Sequence, residues 1–184
     1  MDAIELLLTR ESAMKLQAPG PSAEELDKIL ASAVRAPDHG RLRPWHFVVI
    51  REDQRARFGE LMAESLRRRV PTASDSELQR EREKAFRAPV IVAVAAKAKK
   101  GHKIPEVEQL ASTAAAAQTI MLAAPALGYG AMWKTGAPAY DPWVKTQLGL
   151  DAADEILGFL YIGTNAGGPS PLPRPEAGDF VTAW

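Results

Sequence analysis

Apolar positions recur along this chain at helical spacing in some stretches and as unbroken runs in others, and the two patterns divide it into elements. Ile4, Leu7 and Leu8 share one helical face, which predicts a first helix from residue 2 to about residue 9. Ser22-x-x-Glu25 is a capping box, and Leu26, Ile29, Leu30, Ala33 and Val34 follow at helical spacing. This second helix should end near Arg35, because Pro37 disfavours the helical region for Ala36. His46 to Arg51 is a β-branched and aromatic run and predicts a strand. Asp53 can then cap a third helix with Phe58, Leu61, Met62 and Leu66 on its inner face. From Arg67 to Phe86 no apolar face is sustained past Val70. That stretch reads as a solvated helix end, a mobile loop and a short helix.

Pro89-Val-Ile-Val-Ala-Val-Ala-Ala96 is a continuous apolar run bounded by proline, as expected of a central strand buried on both faces. After the basic loop Lys97 to Lys103, Pro105 suits a helix N-terminus, with Glu106 and Glu108 placed well against the helix dipole. Beyond Leu110 this helix is apolar on nearly every side, so protein must enclose all its faces. In so small a chain, a subunit interface is the natural second wall. Tyr129 to Lys134 predicts a strand, Asp141-Pro142 opens a short helix, and Ile156 to Ile162 is the last core strand. The tail from Asn165 to Gly178 is rich in Pro and Gly and forms no core element of its own. Helices and strands mix without strict βαβ alternation, which points to an α+β fold.

At 184 residues the chain fits one domain, spanning 1–184, with 165–184 as a C-terminal extension. That length buries roughly 70% of the surface an unfolded chain exposes. The 23 basic and 23 acidic residues balance, so no general attraction to nucleic acid or anionic membrane is expected. Any anion site must be local. Cysteine is absent, which removes disulfides, thiolate nucleophiles and thiolate metal sites together. This is compatible with a reducing, cytoplasmic compartment without requiring one. Histidines at positions 39, 46 and 102 show no metal-ligand spacing, and no metal is expected. The N-terminus, with Asp2, Glu5 and Arg10, does not read as a signal peptide. The uncharged run Gln109 to Trp133 is long enough to span a bilayer, yet Gln109, Ser112, Thr113, Gln118, Thr119, Pro125, Gly128 and Gly130 interrupt it. A buried helix followed by a strand accounts for it better.

Three segments carry candidate chemistry. Arg10-Glu11-Ser12 offers an always-charged planar donor and a hydroxyl, which suit a phosphate monoester. Arg10 at a helix end also complements the helix dipole with no ligand at all. Arg35-Ala-Pro-Asp-His39 follows a capped helix, where Asp-His-Gly makes a tight reversal and Arg35 complements the helix C-terminus. Trp133-Lys134-Thr135-Gly136 follows a strand and precedes a turn. A cation near the electron-rich edge of a redox ring, with a backbone donor beside it, would tune that ring toward hydride chemistry. An ordinary strand end with one exposed lysine has the same residues. Gly128-Tyr-Gly130 lacks the third glycine and the acidic residue of a dinucleotide fingerprint, and no serine sits in a G-x-S-x-G elbow. Lys97-Ala-Lys99-Lys100 reads as a solvated loop.

In order and spacing these segments resemble the flavin-dependent nitroreductase family, most closely its small YdjA-like branch, from Met1 to about Thr164. The most specific match is Arg35-Ala-Pro-Asp-His39 followed by Pro44-Trp45-His46-Phe47. The resemblance implies a mixed central sheet surrounded by helices. It also implies an intertwined homodimer with flavin at the interface and the tail over the partner. FMN is the implied cofactor and NAD(P)H the implied reductant. The implied reaction is ping-pong transfer to an oxidised small-molecule acceptor of nitroaromatic or quinone type. The implied cofactor-binding residues are Arg10, Glu11, Ser12, Arg35, His39, Trp133, Lys134 and Thr135. Arg35 and His39 would reach the flavin bound mainly by the other subunit, and Ala123 to Gly128 is the segment associated with the nicotinamide donor.

Relatives often have Arg or His where this chain has Glu11, a basic residue where it has Met14, and Arg-Ser where it has Lys134-Thr135. A carboxylate at position 11 cannot donate to a phosphate at neutral pH, so cations must come from elsewhere. The flavin carries the redox chemistry, so no catalytic side chain is expected. A flavin carrier or sensor without turnover would share every binding segment. In a cofactor-free interaction protein, Arg10, Arg35 and Lys134 would be coincidental.

Overall fold

The computed structural model describes residues 2–168 and 173–184. Seven helices and five strands alternate irregularly through them. Helix α1 (Ala3–Thr9) is capped by the Asp2 carboxylate, and the two-residue strand β1 (Leu16–Gln17) follows. Helix α2 (Ala23–Ala33) opens with the predicted capping box: Glu25 N–H donates to Ser22 Oγ, and Ser22 N–H donates to the Glu25 carboxylate. Strand β2 (Trp45–Arg51) leads to α3 (Gln54–Arg69) and α4 (Asp75–Glu83), and β3 (Val90–Ala96) to α5 (Glu106–Ala126). The chain closes with β4 (Gly130–Lys134), α6 (Ala137–Tyr140), α7 (Pro142–Gln147) and β5 (Glu155–Asn165).

Strand β5 organises the sheet. It pairs with β3, which pairs in turn with β2, and it also pairs with β4 and with β1. The α+β class expected from the sequence is therefore what the chain forms. All these pairings are antiparallel, so the described residues of one chain do not produce the mixed sheet the resemblance implies. Strands β3 and β4 do run the same way, but β5 lies between them.

Side chains alternate across the sheet, apart from a bulge in β5 opposite Val94 and Ala95. Val90, Val92, Val94, Ala131, Leu160 and Ile162 face α2 and α5, where they pack with Leu26, Ile29, Ala117, Ile120 and Met121. Ile91, Ala93, Ala95, Met132, Phe159 and Tyr161 face the opposite way, toward Phe58 and Met62 of α3 and Ala139 of α6. Every residue of β3 is buried, as its unbroken apolar run requires.

Several expectations need correction. Asp53 stands at the N-cap of α3, but its side chain makes no capping bond. Its backbone is already helical, and the neighbouring Gln54 carbonyl oxygen accepts from Arg51 N–H instead. The stretch Arg67 to Phe86 is more ordered than its charge suggests. Ser74 and Glu77 form a second capping box that starts α4, and Leu78 is buried. A pair of short elements, β1 and α6, has no sequence signal of its own. Helix α5 buries one stripe, from Gln109 through Thr113, Ala116 and Ile120 to Ala124, while Ala111 and Gln118 on its other side stay exposed. Ile4, Leu7 and Leu8 of α1 are also exposed, so that predicted apolar face is uncovered in the single chain. Among the described residues no helix is long and apolar enough to cross a membrane.

Gly158 sets how closely β4 can lie on β5. A Cβ there would stand 2.1 Å from Trp133 Nε1 and 2.9 Å from the Lys134 carbonyl oxygen. Gly158→Ala should therefore destabilise the protein by about 2 kcal/mol, the usual scale for overpacking a tight contact. Denaturant unfolding of the two proteins measures this difference, and an unchanged midpoint would show that Trp133 moves aside at no cost.

Candidate functional site

The segment after α1 is held against the outer edge of β4. Ala13 N–H donates to the Ala131 carbonyl (2.9 Å), and Ala166 N–H donates to the Lys15 carbonyl (2.9 Å). Gly130 permits this approach, since a Cβ there would meet Ala13 Cβ and Leu16 Cδ2 at 2.8 Å each. The pairing brings the first and third sequence segments together: Ala13 to Leu16 and Lys134 line one cavity.

Three adjoining cavities form a trough around this edge of the sheet. The first, about 430 Å³, is lined by Arg10, Glu11, Ala13, Tyr129 and Arg174, among others. Ala13 also lines the second, of about 390 Å³, with Lys15, Arg87, Met132, Lys134 and Tyr161. The third, about 250 Å³, shares Arg87, Lys134 and Tyr161 with the second and adds Arg69, Lys84, Thr135 and Gly136. A separate cavity of about 390 Å³ lies against β2, α3 and α7 and is lined by none of the sequence-predicted residues.

The trough is rich in positive charge. Among the described residues Arg10, Lys15, Arg69, Arg87 and Lys134 form no ion pair, whereas Lys84 pairs with Glu81. The chain as a whole is neutral, so this is a local concentration of positive charge. Lys15 supplies a cation one place after Met14, whose own side chain is exposed. Arg174, from the C-terminal extension, donates to the carbonyls of Thr9 (3.0 Å) and Arg10 (3.1 Å). It thereby satisfies two acceptors that the end of α1 leaves open. At this residue the tail lies on α1 of its own chain.

Alternation along β4 separates two neighbours that the sequence presents together. Lys134 projects to the trough. The Trp133 side chain packs on the opposite face, and its indole N–H donates to the Leu157 carbonyl (3.0 Å). Thr135 and Gly136 continue the trough wall into α6. The start of β4 is tied down as well, since the Tyr129 hydroxyl donates to the Glu25 carboxylate (2.8 Å). That bond pushes the phenol above its ordinary pKa. The Glu25 carboxyl is held below its own ordinary value, chiefly by the Ser22 backbone N–H and then by Tyr129.

Arg35 and His39 are not brought to this trough. Arg35 is exposed just past the end of α2, and His39 Nδ1 lies 2.6 Å from the Glu108 carboxylate at the start of α5. Both belong to the α2/α5 side of the sheet, away from Lys134. Arg10 and Glu11 line the first cavity, and Ser12 lies between them and Ala13. Sequence analysis missed Lys15, Arg69, Lys84, Arg87, Tyr161 and Arg174. Only the Lys15 signal, a cation beside the Arg10 segment, was within its reach. The others arrive from distant parts of the chain. Among the described residues no group of His, Asp and Glu is arranged to hold a metal.

Comparison with known proteins agrees with this architecture. The family model described as the nitroreductase family matches residues 7–164. The Escherichia coli K12 protein named "Putative NAD(P)H nitroreductase YdjA" is 39% identical over 184 residues, covering 99% of each chain. Among solved structures, a nitroreductase-like family protein from Bacillus cereus superposes with a TM-score of 0.85 at 21% identity, covering 100% of this chain and 96% of that one. A Bacteroides fragilis nitroreductase with bound FMN gives a TM-score of 0.73 at 20% identity, covering 100% and 99%. The extent of the family match and the 39% identity along the whole chain establish that this protein belongs to the nitroreductase family.

Proposed function

We propose that this chain is an FMN-dependent oxidoreductase that passes a hydride from NAD(P)H, by way of the flavin, to an oxidised acceptor of nitroaromatic or quinone type. The observation that carries this is the trough, which runs from Arg10 and Glu11 to Lys134 and Thr135 past a set of cations that have no ion partner among the described residues. The relative with 39% identity carries NAD(P)H nitroreductase in its name, and a solved structure of the same fold holds FMN.

The residues present fit such a cofactor. Arg10 and the Ser12 hydroxyl suit its phosphate, and Arg174 adds a cation bonded to the carbonyls at the end of α1. Lys15 supplies positive charge midway along the trough. Lys134 suits the ring edge where electron density collects, and the Thr135-Gly136 backbone offers donors beside it. The Trp133 indole sets the height of this strand against β5 from the far face, so its role is to position Lys134. Glu11 contributes through its backbone. Once bound, the flavin supplies two-electron chemistry in a ping-pong cycle, and no side-chain acid or base is assigned.

The same reading includes a homodimer. Arg35 and His39 lie outside the trough of their own chain, and the apolar residues of α1 and the open side of α5 are uncovered. A second copy would cover these faces and bring Arg35 and His39 to the site of its neighbour. We place the protein in the cytoplasm, in keeping with its lack of cysteine.

Three measurements test the proposal. Purified protein should show flavin absorbance, release FMN and not FAD, and oxidise NAD(P)H when a nitroaromatic or quinone is added. Colourless protein that takes up no added FMN would refute it, and bound FMN without turnover would mark a carrier or sensor. Sedimentation at micromolar concentration should give a dimer; a stable monomer that still holds FMN would remove Arg35 and His39 from the site. Lys134→Met should lower the flavin reduction potential and slow reduction by NAD(P)H. Because Lys134 forms no ion pair among the described residues, unfolding stability should change by only about 0.5 kcal/mol. An unchanged potential would limit Lys134 to backbone contact.

A further inference from the structure

The second and third cavities are joined by three side chains that arrive from three separate elements: Arg87 before β3, Lys134 at the end of β4 and Tyr161 in the middle of β5. Tyr161 is the unusual member. It stands opposite Met132 on β4 and Ile91 on β3, in the apolar layer under α3, and only 4% of its surface is exposed. A buried tyrosine normally finds a hydrogen-bond partner, because an unpaired hydroxyl loses its hydration for nothing. The Tyr161 hydroxyl has no such partner among the described residues, and it is not sealed from solvent, since Ser112 Oγ is the one buried side-chain atom left unsatisfied there. It therefore opens into the cavities that its side chain lines.

Arg87 is exposed beside it and forms no ion pair among the described residues. The nearest carboxylate lining this part of the trough, Glu81, is engaged with Lys84. A guanidinium, an ammonium and a phenol hydroxyl thus converge on one space, and the one carboxylate lining it among the described residues is engaged elsewhere. All three are donors, and only an acceptor-rich or anionic group can satisfy them together.

We propose that Arg87 and Tyr161, with Lys134, form the recognition element for the electron-rich edge of the bound flavin ring and hold its reduced, more negative form more tightly than its oxidised form. This rests on the flavin reading above, and it names side chains that the sequence segments do not contain. The phenol suits the task because it remains a donor. Burial pushes its pKa up to about 12, against the opposing effect of the Arg87 guanidinium, so it does not ionise in the neutral range. Lys134 lies on the strand beside Tyr161 and Arg87 comes from outside the sheet, so the three approach from different directions.

The test uses full-length Tyr161→Phe and Arg87→Gln proteins reconstituted with FMN. Phenylalanine keeps the packing of Tyr161, and Arg87 is exposed, so apoprotein melting temperatures should match that of the parent. Fluorescence quenching should show FMN held about fivefold more weakly by each variant, the scale of one lost hydrogen bond. Redox titration should show a further loss of about tenfold for the reduced form, which lowers the two-electron midpoint potential by about 30 mV. Parent-like affinity and potential in both variants, with FMN bound to the parent, would overturn this assignment alone. A parent protein that binds no FMN would overturn it together with the flavin reading.

Discussion

The backbone ladder of β5 carries three neighbours at once: β3, β4 and the short β1. A strand's side chains change face at every residue, so the register of this ladder decides what faces the trough. Pairing Met132 with Tyr161 places both on the α3 side. Pairing Leu16 with Asn165 holds the Arg10 segment at the end of β5. A slip of one residue in β4 would exchange Trp133 for Lys134, burying an ammonium in the α2/α5 core and moving the indole to the cavity.

Packing and polarity work against each other at this edge. The Arg10 segment must lie close to β4, which Gly130 allows, and β4 must lie close to β5, which Gly158 allows. These contacts leave no space for side chains between the strands, so the trough is walled by side chains from around the edge. The groups gathered there are mainly donors. Among the described residues five trough cations have no ion partner, and most of the acids that make the chain neutral lie elsewhere. Like charges held together repel one another, and a bound anion would relieve that repulsion.

Much of the architecture was legible from the sequence, because it rests on local signals. The capping box at Ser22, the unbroken run of β3 and the Asp141-Pro142 helix start each involve residues a few places apart. Asp53 shows the limit of such signals: a good capping residue goes unused when the chain enters the helix with its backbone already turned. Between Arg67 and Phe86 the expected short helix forms, but the charge pattern hid the second capping box that starts it and its packing on α3. Exposed polar faces and solvated loops share the same composition, and only the partner surface distinguishes them.

The sequence by itself determined the α+β class, the two chemical segments at Arg10 and Lys134 and the resemblance that ties them to one family. Those features are local in the chain or are carried by residue order. Tertiary structure alone decided which cations share a space, that Trp133 and Lys134 part company, and that Tyr161 turns a hydroxyl toward the trough. It also separated Arg35 and His39 from the rest of the predicted set, on the other side of the sheet. The physical reason is the same in each case: a side chain's neighbours across a sheet are set by strand register, and register is fixed by pairing between segments that are far apart in the chain.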